Sequence, residues 1–173
     1  MIRPIDVVRE VYFDGQQKKL RQVAIDRQSG QQVGECFANY IPDTQHSYST
    51  KYFLPSYAVK KGQFSAQAKP HMNITSIEVA EQARRQGVAK KLISGVVKES
   101  KASGFGGRVV LHAENFRESP LPAYIKMGFT TANPSLDMRV KKFLEFPMGK
   151  FDASISSFMM LTGKAIKNFL RMV

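Results

Sequence analysis

Eight consecutive residues, Arg84-Arg85-Gln86-Gly87-Val88-Ala89-Lys90-Lys91, join four cationic side chains to a glycine and an alanine. Such a run is suited to holding a phosphorylated anion. Gly87 has no side chain and Ala89 only a methyl, so a diphosphate can come close to the main chain. If the run opens a helix, the first N–H groups lack internal partners and carry the positive end of the helix dipole, which favours the same ligand.

The flanking pattern supplies that helix. Ile74, Ile77 and Val79 lie in a short β-branched run, whereas Val88, Leu92 and Val96 recur at helical spacing with Ala89, Ile93 and Val97 beside them. The loop therefore sits between a strand and a helix that runs from about Arg85 to Ser103, with Gly104 as its stop signal. Alternation along the strand turns Glu78 away from Ile77 and Val79. Downstream, Arg108 to Asn115 reads as a further strand and Leu121 to Phe129 as a short helix closed by Gly128.

Arg84-x-x-Gly87-x-Ala89 after a strand resembles the pyrophosphate loop of GNAT N-acetyltransferases, (Gln/Arg)-x-x-Gly-x-(Gly/Ala). The loop alone is equally compatible with an ordinary basic helix start; the second signature separates the two. Tyr124-x-Lys126-x-Gly128-Phe129 is similar to the Tyr-x-Lys-x-Gly-Phe signature that follows the next strand in that family. The resemblance covers residues 72–130 well and the remainder poorly.

The resemblance implies an α/β fold of three layers: a mixed, mostly antiparallel sheet, splayed in the middle to admit pantetheine, with helices on both faces. It implies acetyl-CoA as cosubstrate and direct acetyl transfer to a primary amine in a ternary complex, with no metal. Carried over by position, the CoA-binding residues are Arg84, Arg85, Gln86, Gly87, Val88, Ala89 and Lys90, the main chain of Ile77 and Val79, and Asn115. Tyr124 matches the tyrosine that protonates the leaving thiolate in many members; a phenol titrates near pH 10 and is a proton donor at neutral pH. The family's carboxylate position falls on Asn73, which cannot act as a base. Glu78 is the substitute carried forward, with His71, His112 and Glu114 left open.

The rest of the chain reads as one domain, residues 1–173. Ile5 to Phe13 is a first strand ending at Asp14-Gly15, and Gln22 to Asp26 and Gln32 to Tyr40 form a hairpin. GNAT domains usually carry one or two helices between their first two strands, and Gly15 to Arg21 is too short for them. The irregular, aromatic-rich stretch Ile41 to Pro70 is expected to pack on the sheet, or else to wall the acceptor site. Leu136 to Phe146 is expected to be a last strand, and Asp152 to Met172 an amphipathic helix packed on its own domain; its basic face also allows lying on a membrane surface or pairing with a second copy.

Lysine and arginine total 26 against 14 acids, a formal +12, which points to anionic partners: RNA, a ribosome or an acidic protein besides CoA. A basic module that binds nucleic acid or ribosomes, or an acyl-CoA sensor without turnover, is accordingly the rival reading. The single cysteine, Cys36, reads as a buried strand thiol. With charged residues throughout the first ten positions and no span-length apolar run, the expected setting is cytoplasmic. His46, His71 and His112 lack zinc spacing, and neither Gly-x-Gly-x-x-Gly nor a Walker loop occurs.

Overall fold

The computed structural model describes residues 4–42, 70–113, 120–131, 133–151 and 157–172. It begins with three ten-residue strands, β1 (Ile5–Asp14), β2 (Gln17–Asp26) and β3 (Gln32–Ile41), linked by tight antiparallel turns. β1 passes straight into β2, so no helix stands between the first two strands. Strand β4 (His71–Val79) pairs antiparallel with β3 and leads through a 3-10 turn, Glu81–Ala83, into helix α1 (Val88–Ala102). Strand β5 (Val109–Ala113) returns parallel to β4. Helix α2 (Leu121–Lys126), strand β6 (Phe129–Thr131), helix α3 (Pro134–Glu145), strand β7 (Ser157–Leu161) and helix α4 (Gly163–Leu170) complete the described chain.

The seven strands form one sheet in the order β1-β2-β3-β4-β5-β7-β6, antiparallel throughout except for β4–β5. Helix α1 crosses it from β1 to β5 and buries Val88, Leu92, Ile93, Val96 and Val97. It approaches β3 closely, since a Cβ on Gly34 would lie 3.0 Å from Val88 and 3.2 Å from Leu92. The buried Gln22 amide of β2 donates to the Leu92 carbonyl at 2.8 Å, and a Cβ on Gly95 would stand 1.9 Å from its oxygen. Glycine at position 95 thus lets a polar side chain pass over the helix.

Two expected elements change type. Leu136 to Phe146 is not a strand: it lies within α3, which Asn133 caps by accepting from the Ser135 and Leu136 N–H groups, with Pro134 at the first helical position. The 152–172 stretch is not one helix. Its described part is β7 followed by α4, and β7 slots between β5 and β6 with Met159, Met160 and Leu161 all buried. Burial on both faces of a central strand removes the alternation that would have marked it. Gly163 opens α4, with the Thr162 hydroxyl accepting from the Ala165 N–H. Helix α4 packs beside α1, as expected of the C-terminal segment. The stretch 43–69 lies outside the described residues, and so does any role for it.

Gly128 ends α2 at φ +102°, where a Cβ would fall 2.4 Å from that of Ala165. Its carbonyl accepts from the Thr162 N–H at 3.1 Å, joining the helix end to the start of α4. Gly128→Ala, strained and overpacked at once, should lose about 3 kcal/mol in urea unfolding; an unchanged midpoint would contradict this contact. Burial of Cys36 pushes its thiol from 9.0 up to about 12. The neutral thiol therefore favours the fold fully below pH 9.0, a contribution lost as pH rises towards 12. At about pH 8 the native protein should leave an aromatic disulfide reagent untouched and react through this one thiol only on unfolding.

Candidate active site

Strands β4 and β5 stay together only briefly. Met72, Asn73 and Ile74 pair with Val109, Val110 and Leu111, after which β4 continues to Val79 without β5. At that point β4 also carries a bulge. Ala38 of β3 faces Ile74 and Phe37 faces Ser76, leaving Thr75 over, with its hydroxyl donating to the Phe37 carbonyl at 3.4 Å. An added residue bends and twists a strand. Parting and bulge together open a wedge lined on one side by the main chain of Thr75–Val79.

The sequence carried a trace of this bulge. Ile74 and Ile77 face the same side because their register partners, Ala38 and Cys36, are two residues apart, although the isoleucines are three apart. An apolar interval of three inside a strand of period two marks an extra residue. Thr75 was not among the site residues read from the motifs.

At the open end of the wedge lies the basic loop. Arg84 is extended, Arg85 has φ +60° and Gly87 φ +79°; Arg85 is the one non-glycine residue at positive φ among the described residues. Left-handed residues beside right-handed ones turn successive N–H groups to one side, an arrangement that favours anions. Gly87 is the N-cap of α1 and no side chain caps that end. The Lys91 N–H donates to the Gly87 carbonyl at 3.0 Å, which leaves the Val88, Ala89 and Lys90 amides ahead of the helical ladder. A Cβ on Gly87 would meet nothing within 4 Å, so the space above the loop is open. A diphosphate fits this cradle, with Arg84, Arg85 and Lys90 exposed around it.

The other loop residues have structural duties. Val88 is buried against Gly34, so its contribution to a ligand is the main-chain N–H. Gln86 donates through Nε2 to the Gln82 carbonyl at 3.0 Å, and Lys91 reaches the Ile5 carbonyl at 2.6 Å. Arg84 Nε donates to the Val79 carbonyl at 3.2 Å while Val79 pairs with Gly34. The strand edge open to a ligand is thereby drawn back from Val79 towards Thr75–Glu78.

Helix α2 carries Tyr124. Its ring meets Phe129 edge to face at 5.7 Å, and burial, with the nearby Cys36 thiol, pushes its hydroxyl up to about 12. Cys36 is in turn the register partner of Ile77 on β4. The hydroxyl has no hydrogen-bond partner among the described residues and stays protonated through the neutral range.

The candidate bases separate. His71 is buried at the far end of β4, opposite Ile41, and Asn73 lies inside the paired section. Glu78 is exposed on the face away from α1, opposite Glu35, whose carboxylate is held by Arg21 at 2.6 Å. His112, also exposed, follows Leu111 on β5 and shares that face. Glu114 and Asn115 lie outside the described residues. Among the described residues no cluster of histidine, cysteine or carboxylates could hold a metal ion, and no helix is long and apolar enough to cross a membrane.

A sequence-family model, described as the acetyltransferase (GNAT) family, matches residues 19–129. No curated protein matches by sequence. Among solved structures, a bacterial toxin is similar at 17% identity, covering 90% of this chain and 73% of its own, with a TM-score of 0.55. Naa20 of Chaetomium thermophilum, solved with a bisubstrate analogue, is similar at 19% identity, covering 88% of this chain and 70% of its own, with a TM-score of 0.50. At such identities the likeness is one of fold. The family model spans well over half the chain, from β2 through the wedge and the basic loop to the start of β6, and the protein belongs to the GNAT acetyltransferase family.

Proposed function

We propose that this protein transfers the acetyl group of acetyl-CoA directly to a primary amine on a small molecule, peptide or protein. One observation carries the reading: the β4–β5 wedge opens with the anion-binding turn at its mouth and a protonated tyrosine near Cys36, the register partner of Ile77.

Acetyl-CoA, when bound, supplies a thioester carbonyl and a thiolate leaving group. The amides at Arg85–Lys90 hold its diphosphate, with Arg84, Arg85 and Lys90 adding charge. The main chain of Thr75–Glu78 takes the place of a missing strand neighbour for the pantetheine arm, and its N–H groups face the oxygen that gains charge as the amine attacks. Tyr124 hands its proton to the departing sulfur. A phenol raised to about 12 is a weak acid, but it never loses that proton at neutral pH and the thiolate it meets is in the same desolvated gap. The amine's own proton leaves on the face shared by Glu78 and His112, through water to one of them. Glu78 is carried as the base by its place on β4, with His112 on β5 as the alternative.

Titration calorimetry of acetyl-CoA tests the cradle. Gly87→Asn, which tolerates positive φ, should keep most of the affinity, whereas Gly87→Glu should abolish it through bulk and charge. Equal binding by the folded Glu variant would remove the loop from the site, and no binding by wild type would end the acetyltransferase reading. Once an amine is in hand, Tyr124→Phe should lower kcat about 100-fold with little change in the KM for acetyl-CoA. The acid limb of the kcat/KM profile should vanish in His112→Gln if the histidine is the base, or in Glu78→Gln if the carboxylate is.

A further inference from the structure

The connection between α3 and β7 carries large apolar side chains into solvent. Phe146 is 78% exposed and Met148 87%, and Met138, on the outer face of α3, is 61% exposed. Lys141, Lys142 and Glu145 lie along the same exposed face as Met138, at helical spacing, and lead to the tip Phe146-Pro147-Met148-Gly149-Lys150, every residue of which is exposed. This tip is fastened at its base. Phe143 and the buried Phe151 meet edge to face at 5.5 Å, and the Arg139 guanidinium lies over the Phe151 ring at 5.5 Å. Gly149 turns the chain at φ +72° with nothing near its missing side chain. The knob is thus ordered from beneath while its own side chains bury nothing.

We propose that this knob docks the protein on an anionic lipid bilayer, with Phe146 and Met148 entering the headgroup layer and Lys141, Lys142 and Lys150 resting on the charged surface. Charge selects this occupant. Asp137 is turned inward, accepting from the hydroxyls of Thr130 and Thr131 and from the Thr131 N–H, so among the described residues of the knob Glu145 is the one outward acid beside three lysines. A second copy of the chain would set these lysines against themselves. An RNA would satisfy the lysines but leave the methionines in water, since base recognition rests on stacking aromatics. A bilayer bearing anionic headgroups takes both kinds of side chain, the apolar ones by insertion and the basic ones by surface potential. The proposal concerns a surface of α3 and the following turn and stands apart from the acetyl-transfer reading.

The chain contains no tryptophan, so Phe146→Trp creates a single reporter at the tip. Its emission should shift to the blue and be quenched by brominated chains when vesicles of phosphatidylcholine with phosphatidylserine are added, and partitioning to pure phosphatidylcholine should be about tenfold weaker. In co-sedimentation with the full chain, Phe146→Ser with Met148→Ser should cut binding about tenfold, while Lys101→Gln with Lys164→Gln, exposed lysines elsewhere, should leave most of it. Unchanged emission would overturn the proposal. So would equal loss in the two double variants, which would mark attraction by net charge alone. A concentration-dependent dimer or an RNA complex abolished by the serine pair would assign the knob to that partner instead.

Discussion

Main-chain N–H and C=O groups inside a sheet need partners on both sides, and among the described residues β4 has them on both sides only as far as Ile74. Beyond that residue it keeps β3 and loses β5. An unpaired strand edge at the middle of a sheet is a cost unless water or a ligand meets it, and much of the architecture follows from tolerating that edge. The bulge at Thr75 falls where β5 departs, and the turn after Val79 delivers the α1 N-terminus to the open end. The unfilled hydrogen-bonding capacity of one strand is the feature that lets an extended ligand bind as though it were the next strand.

The opening needs something to hold its two arms in place, and α1 spans both. On the first arm Gln22 donates to the Leu92 carbonyl and Lys91 to that of Ile5. On the second, Ser100 donates to the Arg108 carbonyl, Ser94 to Phe169 at 3.4 Å and Lys98 to Met172 at 2.5 Å. A further tie, from Arg108 to the Pro70 carbonyl at 2.8 Å, joins the start of β5 to the start of β4, below the point where the strands part. Part of the basic excess is therefore structural. Lys91, Lys98 and Arg108 place their charges on main-chain oxygens, whereas Arg85 and Lys90 beside Gly87 and Lys141 and Lys142 on α3 are exposed.

The elements nearest the chemistry were legible because each had a local cause. Hairpin turns at Asp14-Gly15 and Ser29-Gly30, the change of hydrophobic period around Gly87, and the glycine closing α2 are readable without knowledge of the fold. The C-terminal third was misread for tertiary reasons. In α3 the apolar residues Val140, Phe143 and Leu144 do not by themselves exclude a strand; the helix is marked by Asn133-Pro134, its cap and first turn. In β7 three buried residues in succession, Met159, Met160 and Leu161, show no period at all, because the strand is flanked by β5 and β6 and covered on both faces. Met160 faces Val110 on one side and Thr130 on the other, pairings between residues that lie far apart in the chain.

The same reasoning separates what the family motifs specify from what they leave open. Gly87 at φ +79° and Gly128 at φ +102° are positions where the backbone, rather than a partner molecule, demands the residue type. Such demands persist whatever the acceptor, and they make the pyrophosphate turn and the tyrosine helix recognisable. Glu78 and His112, on the surface away from α1, are under no comparable backbone condition: they stand on separate strands and no fixed spacing links them. Among the described residues β1 turns directly into β2 with no helix between them. A sequence can thus spell out a turn through the residue types its backbone demands, whereas side chains that only the fold brings together leave no such mark.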